Sequence, residues 1–236
     1  MPSIFSRTEL LFGQAAMERL SRCRVAVFGI GGVGGYVVEA LTRSGVGALD
    51  LVDHDSVDST NLNRQIIALH STIGRLKVDV AEERCKDINP DVVIRKHPVF
   101  YLPENAASFD FSAFDYVVDC IDTVSAKIQL VLQAQAAGVP VISSMGTGNK
   151  VDPSRFLVSD LYSTSVDPLA RVMRHELRKR GVSALKVVYS TEVPIEVPGG
   201  RGANGKAIPG SNAFVPSSAG LLIASEVIRD LLNKAK

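Results

Sequence analysis

Residues 26–40 read AVFGIGGVGGYVVEA, a run in which an apolar strand pattern gives way to glycines and then to a helical pattern. The strand begins at Arg24 and is rich in β-branched residues, which suit a pleated, enclosed surface. The glycines spell Gly29-x-Gly31-x-x-Gly34, with Gly32 between them. They let the backbone turn sharply and approach phosphate oxygens, which the N-terminus of the following helix attracts. Asp53 ends the next strand, at roughly the 20-residue offset of an acid that binds ribose hydroxyls. Strand, turn, helix and acid together predict a nucleotide site.

The alternation continues outward. Segments 24–30, 48–55, 91–97, 114–122 and 140–146 are Val- and Ile-rich and bounded by turn residues, and they read as strands. Helical candidates occupy 33–44, 74–88 and 124–137. This order predicts an α/β fold: a Rossmann-like, doubly wound, mostly parallel sheet with right-handed crossovers and helices on both faces. After 148–155 the pattern changes to a strand (155–159), a basic helix (167–181), a strand (184–190) and a closing helix (216–232). Residues 194–212 are rich in Gly and Pro and read as a long mobile loop. The expected organisation is one domain over 1–236, with a nucleotide-binding core at 7–146 and a substrate-side, strand-helix extension at 147–236.

Composition sets limits. The formal net charge is +1, so any polyanion site must be a local patch. No apolar run reaches the ~20 residues that cross a bilayer, and the N-terminus lacks a signal-peptide core, so a cytoplasmic protein without a membrane partner is expected. The cysteines are Cys23, Cys85 and Cys120, with no CxxC pair and none after 120. That spacing disfavours a disulfide framework or a four-cysteine zinc site. His54, His70, His97 and His175 show no metal-ligand or dyad spacing.

The identity of the nucleotide depends on the residues after Asp53. No GxxxxGK[ST] motif exists. Residues 61–65 read NLNRQ, placing Asn61, Arg64 and Gln65 after the second strand, and Lys77 lies on the next helical segment. Two cations and several amides suit a β,γ-diphosphate better than a nicotinamide. Asp122 closes the fourth strand at the carboxyl edge, where open sheets bind ligands. A bare carboxylate repels phosphates, so there it implies Mg²⁺, whereas taken alone it reads as a cap for the helix near Val124.

Gly29–Gly34, Asp53-x-Asp55, NLNRQ, Lys77 and Asp122 together resemble the ATP-binding set of the ubiquitin-activating-enzyme-like adenylating proteins. The resemblance implies an enzyme that binds Mg-ATP and transfers AMP to a carboxylate. It implies that Gly31 and Gly34 line the phosphate turn and that Asp53 takes the ribose. It further implies that Asn61, Arg64 and Lys77 hold phosphates, and that Asp122 binds the metal. Arg7, in RTELLFG, is the candidate for an arginine donated across a homodimer.

A narrower similarity covers most of the chain. RTELLFG, GIGGVG, NRQIIALHSTIGRLK, INP, SSMGTGNKVDPSRF, DPLARVMRHELRKRG and FVPSSAGLLIASEVI are similar to a tRNA-modifying branch of that family. Its members use ATP to cyclise a threonylcarbamoyl group on the adenosine beside the anticodon. The lack of cysteine after 120 separates the chain from carrier-protein activators with a zinc-binding CxxC pair or a thioester cysteine.

The implied partner is the tRNA anticodon loop. Between 171 and 180 the chain carries five cations and one acid, Glu176. Arg171, Arg174 and Arg178 are spaced three and four apart, on one helical face, and with Arg201 and Lys206 they are the candidates for RNA backbone contacts. A monovalent cation and a sulfur-transfer protein are left open. Two rivals stand beside this reading: an activator of a small sulfur-carrier or ubiquitin-like protein, and an NAD(P)-binding oxidoreductase or nucleotide sensor.

Overall fold

The computed structural model describes residues 3–197 and 208–233. Its centre is β1 (Arg24–Phe28), whose Val25–Phe28 stretch has no exposed surface. β2 (Ala48–Val52) pairs with β1 on one side and β4 (Tyr116–Asp119) on the other, both parallel. β3 (Val93–His97) lies outside β2, and β5 (Val141–Ser144) lies outside β4. Beyond β5 come β7 (Lys186–Ser190), parallel to it, and β6 (Phe156–Asp160), antiparallel at the edge. The sheet order is β3-β2-β1-β4-β5-β7-β6.

Strand order therefore reverses between β1 and β4. The crevice beyond their carboxyl ends is where a doubly wound sheet binds ligands. Residues of the expected extension complete the same sheet, with β7 inserted between β5 and β6.

Helices cover both faces, as the β-α alternation requires. One face carries α3 (Gly34–Arg43), α4 (Lys77–Ile88) and the long α7 (Val215–Asn233), packed around residues such as Leu41, Val78 and Ile223. The other carries α5 (Val124–Ala136) and α6 (Pro168–Lys179). Beside α5 lies a bed of rings from Phe28, Tyr101, Phe109, Phe111 and Phe114.

Two short helices were not expected from the sequence: α1 (Ser6–Phe12) and α2 (Gln14–Leu20), joined at Gly13. None of α1 is buried, and Leu10 and Leu11 are 86% and 80% exposed. Among the described residues, no helix is long and apolar enough to cross a membrane. The described flanks of the expected mobile loop are tied down. The Ile195 N–H donates to the Asn149 carbonyl at 2.7 Å, and the Gly210 N–H donates to Asn149 Oδ1 at 2.6 Å.

Candidate nucleotide site

β1 ends at Gly29, whose φ of +89° redirects the chain. Gly34 opens α3 so close beneath it that an added Cβ would stand 1.8 Å from the Gly29 carbonyl oxygen. The turn thus stays backbone-only, as a phosphate cradle requires. Asp53 is fixed against it: Oδ2 accepts the Ile30 N–H at 2.7 Å, and Oδ1 accepts the Asp55 N–H at 2.8 Å. Each oxygen keeps a lone pair for a further donor such as a sugar hydroxyl.

The turn opens into a cleft of about 370 Å³. Lining it are Gly29, Gly31, Gly32, Asp53, Asp55, Asn61, Arg64, Gln65, Lys77 and Asp122, so the sequence candidates of the core other than Gly34 and Arg7 converge on one cavity. A short helical turn at Ser59–Asn61, capped by Asp58, sets the angle of the NLNRQ segment. Asn61 Oδ1 accepts the Asp58 N–H at 3.2 Å. Among the described residues Arg64 spends only Nη1, on the Thr60 carbonyl and Asn63 Oδ1 at 2.8 and 2.9 Å.

Lys77 has its stem buried and its amine 2.7 Å from Asp55, which is half exposed. Asp55 is thus the resident counter-ion of Lys77, a role that its place in the sequence did not reveal. Asp122 is exposed, and its Oδ1 accepts from the Thr123 hydroxyl at 3.3 Å. The cap position of α5 belongs to Thr123 rather than Asp122, which leaves that carboxylate available for a cation.

Asp53, His54 and Asp55 bring one ligand atom each within 4.8 Å of one another, a juxtaposition that the histidine spacing did not suggest. Asp53 is already engaged by the Ile30 and Asp55 amides and Asp55 by Lys77, and the His54 ring packs on Phe100 at 4.4 Å.

Two buried side-chain atoms have no partner among the described residues, Gln65 Oε1 and the Tyr101 hydroxyl. Both residues line the cleft. Buried polar atoms are nearly always paired in native proteins, so orphans at a cavity wall mark where a ligand's polar groups fit. Tyr101 also sits at the apolar end, with Val52, Val99, Phe100 and Ile121, where a base ring would find flat contacts.

Sequence reasoning missed a charged layer beneath the cleft. Lys127 and Asp119 are fully buried and paired at 2.9 Å. Lys127 also donates to the carbonyls of Ile121 and Ser144, and Asp119 accepts from the Ser143 hydroxyl at 2.5 Å. A lysine within the largely apolar pattern of α5 was the available signal. Cys120 lines the cleft, but burial and the neighbouring Asp119 push its thiol far above its ordinary value, so it is protonated at neutral pH.

Arg7 lies exposed on α1, away from the residues that line the cleft. Of the α6 candidates, Arg171 is exposed and the Arg178 guanidinium stacks over Tyr162 at 5.0 Å. Arg174 is partly withdrawn, donating to the Thr164 carbonyl at 3.0 Å and to its hydroxyl. Arg201 and Lys206 lie outside the described residues.

This geometry is an adenylating-enzyme cleft on a doubly wound sheet, and the chain belongs to the ThiF family, whose model matches residues 5–236. It is 44% identical over 240 residues to the tRNA threonylcarbamoyladenosine dehydratase of Bacillus subtilis, covering 97% of this chain and 94% of that protein. The crystal structure of Escherichia coli tRNA N6-threonylcarbamoyladenosine dehydratase in complex with ATP superposes with a TM-score of 0.90 at 32% identity. It covers 98% of this chain and 94% of that one. The complex of the same enzyme with AMP gives 0.89 at 33% identity, with the same coverage.

Proposed function

We propose that this chain is an ATP-dependent tRNA threonylcarbamoyladenosine dehydratase. Its substrate carboxylate attacks the α-phosphorus of ATP and pyrophosphate leaves. A nucleophile on the same side chain then attacks the activated carbonyl, closing the ring and releasing AMP. Water is removed overall, its oxygen departing on AMP. The observation that carries this reading is a switch-point cleft with orphaned polar atoms and under-used charges, in a chain similar end to end to the dehydratases.

Each residue then has a task. Gly31, Gly32 and Gly34 bring backbone N–H groups to the phosphates, and Asp53 orients the ribose. Arg64 carries unspent donors for phosphate oxygens, and Asn61 and Gln65 offer amides beside it. Lys77, held ready by Asp55, exchanges its carboxylate partner for a phosphate and stabilises charge that builds up in the in-line transfer. Asp122 fits Mg²⁺, a cation commonly held by one carboxylate plus phosphate oxygens and water. When bound there, Mg²⁺ neutralises phosphate charge. Ring closure draws on the high effective concentration of a nucleophile on the same molecule, so no protein nucleophile is needed and Cys120 stays a thiol.

The wider assembly belongs to the same proposal. The exposed apolar side chains of α1 suit a homodimer interface that brings Arg7 to the partner's cleft. Arg171 and Arg178, with Arg174 bracing the helix, suit the backbone of an anticodon loop, whose splayed base reaches the 146–149 turn. Pyrophosphate exchange separates this reading from a carrier-protein activator: it should require threonylcarbamoyl-modified tRNA. Exchange that depends instead on a small carrier protein would overturn it.

A further inference from the structure

The cleft is closed on its far side by the turn after β5, residues 146–149, which contributes Thr147 to the wall. Behind it lies an ion pair that the proposed chemistry does not use. Lys150 and Asp167 are 3% and 1% exposed. The Lys150 amine donates to Asp167 Oδ2 at 2.8 Å and to the Gly146 carbonyl at 2.5 Å. Asp167 Oδ1 accepts the Ala170 N–H at 2.9 Å and so caps α6. One carboxylate therefore holds the first turn of the basic helix, and its lysine holds the turn that walls the cleft.

The approach is tight and strained. A Cβ at Gly146 would meet Asp167 Oδ2 at 3.2 Å. Val166 has a φ of +48°, a region that β-branched residues rarely enter. There the Asp167 N–H bends back onto the Ser165 carbonyl at 2.5 Å. Such strain persists only where the surroundings over-determine it, and a buried pair with three hydrogen bonds does so. Lys150 also reaches the other wall: its carbonyl accepts from Asn212 Nδ2 at 2.9 Å, and Asn212 Oδ1 accepts the Val215 N–H that opens α7. Pro216, the next residue, lines the cleft.

We propose that Lys150 and Asp167 are positioning residues that couple RNA docking on α6 to the 146–149 turn, so that the adenylation site is set when the polyanion is seated. This rests on the proposed docking of tRNA on α6. Neither side chain lines the cleft, and both act through the backbone of Gly146–Lys150. A helix pulled by its basic face moves its own N-terminus, and the carboxylate there is bonded directly to the lysine that grips the turn.

The test compares Lys150→Met, Lys150→Gln and the double variant Lys150→Met/Asp167→Ser with the unaltered chain. Glutamine has two N–H donors and can serve both Gly146 and Asp167, and serine still caps α6. The double variant leaves no unpaired buried charge, so it folds even where Lys150→Met does not. Single-turnover AMP formation with threonylcarbamoyl-tRNA should fall at least tenfold in the double variant and largely recover in Lys150→Gln, with the ATP and tRNA Kd values within about twofold of the unaltered chain. A rate within twofold of the unaltered chain in the folded double variant would overturn the proposal.

Hydrogen exchange judges the coupling without turnover. Adding the tRNA should protect the amides of residues 145–150 in the unaltered chain but not in the double variant. Equal protection in both, or none in the unaltered chain, overturns the coupling. An unaltered chain that forms no AMP yet shows this difference would contradict the proposed reaction while upholding the coupling.

Discussion

The two walls of the cleft use charge in opposite ways. On the glycine-turn side, Lys77 faces a half-exposed Asp55, and among the described residues Arg64 spends one nitrogen and the exposed Asp122 has only a hydroxyl beside it. Beneath the cleft Lys127–Asp119, and behind its far side Lys150–Asp167, are sealed from solvent, and every carboxylate oxygen and ammonium in them has a protein partner. A charge with spare valences next to water can exchange its partner for a ligand. A buried and saturated charge cannot, because removing one partner strands the other in a low dielectric. The first wall is therefore suited to chemistry and the second to shape.

That contrast can be broken by substitution, and the largest effect belongs to the buried wall. Lys127→Met leaves Asp119 buried and unpaired, so chemical denaturation should show a loss of about 3–5 kcal/mol. A loss below about 1 kcal/mol would mean that the pair is not structural. On the open wall the signature inverts. Lys77→Ala and Asp122→Ala should each lower turnover by about 10²-fold or more, close to 3 kcal/mol of barrier, while the melting temperature moves little. Near-normal rates in both variants would remove their assigned roles.

A smaller effect sharpens the placement of the RNA. Arg171→Glu/Arg178→Glu, which leaves the Arg174–Thr164 brace intact, should weaken tRNA binding by roughly tenfold and flatten its salt dependence, with ATP binding unchanged. An unchanged salt slope would move the RNA to another surface. The smallest effect concerns Asp50, a further saturated charge, buried at the middle of β2. Burial alone would push its carboxyl up, but hydrogen bonds from Arg24 and His97 hold it below its ordinary value. A lowered native value contributes stability above the unfolded carboxylate range and loses it as pH falls through the native value. The stability gap between the unaltered chain and Asp50→Asn should therefore be widest near neutrality and shrink below about pH 4. A gap that does not change with pH would detach Asp50 from this network.

The open wall was legible because its groups succeed one another along the chain. Gly29 to Gly34 form a local turn, and Asp53, NLNRQ and Lys77 come at spacings that a β-α-β unit converts into one edge. The buried wall was not legible, since a lysine in a sequence reads as a solvated charge until its partner is known. Lys127 meets Asp119 across a strand end, and Lys150 meets Asp167 only after β6 has folded back. Asp122 illustrates both sides: alone in the sequence it reads as a helix cap and beside its neighbours as a metal ligand, and in the structure the cap position falls to Thr123. The insertion of β7 between β5 and β6 was hidden for the same reason, because strand order is set by packing rather than by spacing.

The central claim is a chemical one, and mass analysis of tRNA nucleosides tests it directly. Threonylcarbamoyl-modified tRNA incubated with this chain and Mg-ATP should yield a nucleoside lighter by one water, with AMP formed in equal amount and nothing formed when ATP is omitted. An unchanged modified adenosine, from a chain shown to bind both ATP and the tRNA, would contradict it.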